Sequence, residues 1–299
     1  MLITDVKKLD FFSYLNGLFQ LMKPRVMSLV IFTCVVGLLI APVKVDLISS
    51  IISLLAVALG AGAAGTLNMW YESDLDALMT RTCLRPIPSG VITKNQALIF
   101  GLLTSFLSII FLYIFSNLLA ATILAITILF YVLVYTVWLK RKTAQNIVIG
   151  GAAGALPPVI GWTIATGSIN LEPLILFLII FFWTPSHFWA LSLYRTEDYK
   201  KANIPMLPVT SGVKTTKKNI FYYSIVLCPF ALAPFLLNFS GLFYLFFAGA
   251  LSLYYIYLCF KLLNENDDII EKVIAKKVFG FSIFYLFILF IIILLDKII

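Results

Sequence analysis

Residues 96–139 read QALIFGLLTSFLSIIFLYIFSNLLAATILAITILFYVLVYTVWL, a stretch without a single charged residue. Near its middle lies one turn-forming pair, Ser116-Asn117. A bilayer core of about 30 Å takes roughly 20 apolar residues in helical form. The stretch therefore reads as two membrane spans, 96–115 and 118–139, joined by a tight turn. Within lipid each backbone polar group must be satisfied inside its own segment, and no strand-like alternation is visible, so the spans read as helices. Working outward, further apolar runs fall at 26–41, 47–70, 147–166, 172–194, 219–238, 241–261 and 278–295, which makes nine candidate spans. The first is short, and Phe11 to Leu21 before it reads as an interfacial amphipathic segment.

Composition agrees. Of 299 residues, 62% are hydrophobic and 12% charged, and the mean hydropathy is +1.03. A soluble globule averages roughly 45–50% apolar and about 25% charged residues, so the excess apolar surface belongs in lipid. The net charge of +8 would suggest nucleic acid in a soluble protein; here its placement excludes that partner. With a cytoplasmic N-terminus, 20 of the 22 lysines and arginines fall in the N-terminal segment and the even-numbered, inner loops; Lys44 and Lys297 alone fall outside. This is the positive-inside pattern, and it predicts a multi-pass protein with its C-terminus external. The N-terminal segment lacks a cleavable signal, and Asp5 and Asp10 run against a transit peptide; the chain reads as unprocessed and of the bacterial inner membrane. Cys34, Cys83, Cys228 and Cys259 form no CxxC pair and read as small hydrophobes.

Two inner loops are long, about 71–95 and 195–218, and they echo one another. Asp76 and Asp198 stand 122 residues apart (198 − 76), as do Pro86 and Pro208, and Ser89-Gly90-Val91 and Ser211-Gly212-Val213. The echo predicts a single domain over 1–299 with pseudo-repeats at about 23–140 and 145–262: a duplicated four-helix unit plus one helix.

The first loop reads NMWYESDLDALMTRTCLRP over 68–86. Asn68, Glu72 and Asp76 are spaced by four, so one helix face presents all three. Three oxygen ligands suit a hard divalent cation such as Mg²⁺, which takes carboxylates together with substrate phosphates. Arg81 and Arg85 follow one and two turns later, placed to pair with phosphate. The second loop reads YRTEDYKKANIPMLP over 194–208, with Tyr194, Asp198 and Lys201 at i, i+4 and i+7. Arg195 and Lys201 are its phosphate-binding candidates. Carboxylates this close to hydrocarbon are costly and mark functional sites. Two such clusters on one side of a bundle describe a diphosphate site, with Asp76 and Asp198 central to the chemistry. Lys140, Arg141 and Lys142 read first as topology anchors, and Asn146 beside them as a possible addition to the diphosphate pocket. Gly150, Gly151, Gly154 and Gly161 read as close helix packing or as room beside a flat ligand.

These residues resemble the intramembrane, UbiA-type prenyltransferases, whose Asn-xxx-acid-xxx-Asp motif and second Asp motif sit on nine helices. The resemblance covers nearly the whole chain. Its most specific part is to the haem-farnesylating branch, the protohaem IX farnesyltransferases. Four segments carry it: Lys23-Pro24-Arg25-Val26; Asn68 to Pro88; NIVIGGAAGALPPVIGW at 146–162; and WTPSHFWALSLYR at 183–195, continuing to Pro208. Ser73 and Ser186 depart from residues common in that branch, without touching a candidate metal ligand. The resemblance implies a Mg²⁺-dependent reaction in which farnesyl diphosphate, haem b and water give haem O and diphosphate, and a downstream haem A synthase as partner. His187, the only histidine, then has three readings: a ligand to haem iron, another haem-pocket role, or a helix-packing hydrogen bonder. Two other functions stay open, prenylation of a quinone precursor and cation-dependent transport.

Overall fold

The computed structural model describes residues 11–43 and 45–297; Asp5, Lys7, Lys8, Asp10 and Lys44, used in the charge argument, lie outside them. Helix α1 (Phe11–Leu21) exposes Phe11, Phe12, Leu15 and Phe19 and buries Gly17 and Leu21, as an interfacial amphipathic helix does. It is bent by 48° from α2 (Pro24–Leu39), which starts on a proline whose fixed φ suits the first helical position. Lys23, at the bend, takes φ 55° and ψ 57°, a left-handed geometry that costs a side-chain-bearing residue of order 1–3 kcal/mol.

Helix α3 (Leu47–Tyr71) is capped by Asp46, whose carboxylate accepts from the Ser49 N–H, and leads into the short α4 (Ser73–Leu78). A capping box of Thr93 and Gln96 opens α5 (Lys94–Phe115); such boxes satisfy two of the otherwise orphaned N-terminal donors. Asn117 caps α6 (Leu118–Leu129), which runs on as a π-helix over Phe130–Leu139. The expected span 147–166 is two helices, α7 (Asn146–Ala155) and α8 (Pro157–Thr166), because Pro157 removes a helical donor at their junction. Then follow α9 (Leu171–Tyr194), α10 (Thr196–Lys201), α11 (Leu207–Thr210), α12 (Gly212–Leu236), α13 (Leu242–Asn264) and α14 (Asp268–Asp296). Among the described residues no strand occurs. Among the described residues eight stretches are long and apolar enough to cross a bilayer, or nine if the bent α1–α2 pair is one span. The chain is an all-α, multi-pass membrane protein.

Two cores hold the bundle. One joins α9, α12, α13 and α14 through Trp189, Tyr244, Tyr255, Tyr285 and Phe290; the other joins α3, α5, α6 and α8 through Val57, Leu112, Leu124 and Ile160. Between the halves α2 lies against α8 at backbone distance. A Cβ on Gly37 would strike the Pro158 carbonyl, and one on Gly161 the Cys34 carbonyl, which answers the packing expectation for Gly161. A buried ion pair, Lys217 to Glu271 at 2.8 Å, ties α12 to α14. Gly90 and Gly212, the glycines of the two echoed loops, both adopt positive φ, 77° and 78°; Gly90 lies shortly before α5 and Gly212 is the first residue of α12.

Candidate active site

The row Asn68, Glu72 and Asp76 survives the end of α3. Glu72 leaves helical geometry at φ −94°, ψ 10°, yet the Glu72 N–H still donates to the Asn68 carbonyl and the Asp76 N–H to the Glu72 carbonyl. The three side chains therefore stay on one face, and they are 2%, 2% and 1% exposed. Buried carboxylates require counter-charge, and a base meets each member of the row. Lys23 Nζ donates to Asn68 Oδ1 at 2.6 Å, Lys140 Nζ to Glu72 Oε2 at 2.5 Å, and one nitrogen of Arg85 to both oxygens of Asp76 at 2.7 Å. Asn68 Nδ2 donates in turn to Thr136 Oγ1 at 3.0 Å. Thr136 and Lys140 reach the row from the π-helix, whose wider turn changes which residues face α3; such turns recur at functional sites.

The second loop meets the first. Thr80 Oγ1 donates to Asp198 Oδ1 at 2.8 Å, and Met79, Ile147, Tyr199, Ile204 and Met206 form one apolar cluster between the loops. A cavity of about 80 Å³ lies there, lined among others by Arg81, Tyr135, Lys140, Asn146, Phe188 and Tyr199. Ligand pockets for molecules of drug size run from about 300 Å³ upward, so this cavity admits such a molecule only if the side chains around it part. Gly150 admits the Tyr135 ring, since a Cβ there would overlap it, whereas Gly154 faces open space.

Several expectations change. The helix ends at Leu78, and Met79 is extended at φ −99°, ψ 131°, so Arg81 and Arg85 do not follow on helical turns. The reason is local: Thr82 Oγ1 donates to the Asp76 carbonyl, and the extended Met79 buries its side chain in the inter-loop cluster. Arg85 pairs with Asp76, while Arg81 is exposed at the cavity. In the second loop Arg195 breaks the helix at φ −119°, ψ 18°, so Tyr194, Asp198 and Lys201 do not share a continuous helical face. Arg195 stands 4.0 Å from Asp198, and Lys201 is exposed, with no ion pair among the described residues. Lys140 and Arg141 do more than anchor topology. Arg141 grips Asp74 through two hydrogen bonds of 2.9 and 3.1 Å. Partial burial raises the Asp74 carboxyl, but the Arg141 hydrogen bonds, the backbone N–H groups at Leu75 and Asp74 and the Arg141 charge together hold it below its usual range. Sequence reasoning missed Lys23, Thr80, Thr136 and Lys140 as parts of the site. The available signal was the need of two buried carboxylates for cations.

Among the described residues no three carboxylate, imidazole or thiol groups converge on a point, because each acid of the row is turned toward its base. The donor set still fits a hard cation. It is all oxygen, and Glu72 Oε1 is buried with no hydrogen-bond partner.

His187 lies in α9, stacked between Trp183 at 4.2 Å and Phe279 at 4.6 Å. Its Nδ1 is 2.6 Å from Ser282 Oγ on α14. Ser282 Oγ also lies 2.6 Å from the Phe279 carbonyl; with the one hydroxyl proton on that carbonyl, His187 Nδ1 is the donor of the pair. Among the described residues Nε2 accepts no hydrogen bond, which leaves its lone pair for a ligand.

Residues 30–294 match the UbiA prenyltransferase family. A protein of Pelagibacter ubique (strain HTCC1062) named protoheme IX farnesyltransferase is 61% identical over 98% of this chain and 97% of its own. One from Mesorhizobium japonicum, named protoheme IX farnesyltransferase 2, is 52% identical over 94% of this chain and 90% of its own. A solved digeranylgeranylglyceryl phosphate synthase shares the fold with a TM-score of 0.79 at 21% identity, over 95% of this chain and 99% of its own. A UbiA homologue from Archaeoglobus fulgidus bound to GPP and Mg²⁺ shares it with a TM-score of 0.66 at 17% identity, over 90% and 99%. With eight or nine candidate spans among the described residues, two facing motif loops and a family match over residues 30–294, the chain belongs to the UbiA prenyltransferase family.

Proposed function

We propose that the chain transfers the farnesyl group of farnesyl diphosphate to a vinyl group of haem b, with addition of water, giving haem O and diphosphate. One observation carries the diphosphate half: the buried row Asn68–Glu72–Asp76, with a base on every member and one carboxylate oxygen unpartnered. The haem half rests on relatives of 52–61% identity named for that acceptor; they do not favour a quinone precursor or transport.

Asn68, Glu72, Asp76 and Asp198 are the candidate Mg²⁺ ligands. Mg²⁺ supplies charge that stabilises the departing diphosphate. Lys140 and Arg85 place two cations against two buried carboxylates, while burial and the neighbouring Arg85 push the Lys23 ammonium down to about 7; Arg81 lines the cavity, Arg195 and Lys201 are exposed on the second loop, and this positive charge draws in a diphosphate. Tyr135, Phe188 and Tyr199 line the same cavity and offer ring faces to an allylic cation. His187 offers Nε2 to the haem. The positive-inside count supports an inner-membrane protein, N-terminus in and C-terminus out, whose product passes to a haem A synthase. Loop pairs 122 residues apart, with Gly90 and Gly212 in matching conformations, support the duplicated four-helix unit.

The test is diphosphate release from farnesyl diphosphate by the purified protein. Release that needs both haem b and Mg²⁺, and that stops with a chelator, is expected. Release indifferent to haem b or to the chelator overturns the assignment.

A further inference from the structure

The proposed reaction consumes a water, and a residue lining the cavity between the two loops carries a buried acceptor with no partner. Asn146 opens α7 and is fully buried. Its Nδ2 donates to the Thr143 carbonyl at 2.5 Å. A carbonyl only accepts, so this bond fixes the orientation of the amide and leaves Oδ1 as the other arm. Oδ1 is buried and has no partner, although leaving such an acceptor unmade costs about 1–3 kcal/mol. Asn146 lines the cavity of about 80 Å³ together with Lys140, Arg81 and Tyr135. A water needs on the order of 10–15 Å³ by this kind of measure, and two to four polar partners. The cavity supplies both: room for more than one water, an acceptor in Oδ1, and donors in Lys140 and Arg81.

We propose that Asn146 holds the water that terminates the reaction, a deepening that rests on the haem-farnesylation reading. The bond from farnesyl C1 to the diphosphate oxygen breaks, and the diphosphate leaves with the electron pair. The vinyl π electrons form the new bond from the terminal vinyl carbon to C1, which leaves a cation on the vinyl carbon attached to the porphyrin ring. A lone pair of the water oxygen closes on that carbon. One proton of the water leaves and is taken by the released diphosphate, so the water ends as the hydroxyl of haem O. The cation forms two bonds from C1, beside the departing diphosphate, and Lys140 puts Asn146 there: it lines the cavity with Asn146 and bonds Glu72 of the ligand row. Asn146 Oδ1 accepts one hydrogen of the water and turns its lone pair outward. Without that acceptor the same cation has a second exit, loss of a neighbouring proton to give an alkene lighter than haem O by the mass of one water.

The experiment separates these exits. Wild type, Asn146→Ala and Asn146→Asp are incubated with haem b, farnesyl diphosphate and Mg²⁺, and both haem products are quantified by mass. Asn146→Asp, which keeps an acceptor oxygen, gives haem O as the main product. Asn146→Ala raises the ratio of alkene to haem O by about tenfold or more. Should the alanine variant not accumulate, Asn146→Val, which has no acceptor atom in its side chain, is read by the same ratio. A product ratio unchanged in the variants that lack the acceptor, or loss of both products in a folded variant that still binds both substrates, overturns the proposal. Failure of the wild type to alkylate haem at all overturns instead the reading on which it rests.

Discussion

Replacing Lys140 with Met tests the electrostatic design of the ligand row. Lys140 Nζ and Glu72 Oε2 are 2.5 Å apart, with side-chain exposures of 18% and 2%. The other Glu72 oxygen has no partner, so Lys140→Met leaves a buried carboxylate with no hydrogen bond from any side chain. Breaking one side of a buried pair costs about 3–5 kcal/mol. Water reaches the ammonium end, which places the loss near the lower bound, about 3 kcal/mol, or roughly a hundredfold in the folding equilibrium. The assay is thermal melting in detergent with a chelator present, then with Mg²⁺ and diphosphate. Lys140→Met should melt well below wild type in chelator and recover part of the difference with Mg²⁺, because a ligand of the folded state stabilises by mass action. The double variant Lys140→Met/Glu72→Gln should lose less than Lys140→Met alone, since no charge is then stranded. Equal melting of wild type and Lys140→Met in chelator, or a double variant no better than the single, refutes the reasoning.

Three further outcomes follow. Asp198→Asn should cut turnover by roughly a hundredfold or more with folding intact, because a ligand that helps stabilise the leaving diphosphate contributes several kcal/mol; near-normal diphosphate release contradicts it. Reporter fusions at Ser116 or Gly167 should score as external, and a cytoplasmic score at either reverses the topology. His187→Ala should shift the Soret band of bound haem b while farnesyl diphosphate affinity holds, and should also lower the melting temperature through loss of the bond to Ser282; an unchanged spectrum removes the ligand role.

The spans were legible because hydropathy and loop charge are local, additive signals. The shared face of Asn68, Glu72 and Asp76 was legible for the same reason: a spacing of four is a property of one helix, and the hydrogen bonds at Glu72 keep that face through the kink. The partners of the row were not. Lys23 and Lys140 lie 45 and 68 residues away from the groups they hold, and their chemistry is indistinguishable from that of a topology anchor. The π-helix was equally hidden, since a stretch as uniformly apolar as Phe130–Leu139 carries no period from which to count residues per turn. The overextended reading of Arg81, and that of Lys201, came from prolonging helices past Leu78 and Tyr194, where side-chain bonds and burial of loop residues end them.

The central claim is that this buried row drives farnesylation of haem. Wild type and Asp76→Asn, incubated side by side with Mg²⁺, farnesyl diphosphate, haem b and a phenolic quinone precursor, test it in one mass spectrum. The expected result is haem O from wild type, unmodified haem b from Asp76→Asn, and an unalkylated phenol in both. A farnesylated phenol beside untouched haem, or haem O from Asp76→Asn at the wild-type rate, contradicts it.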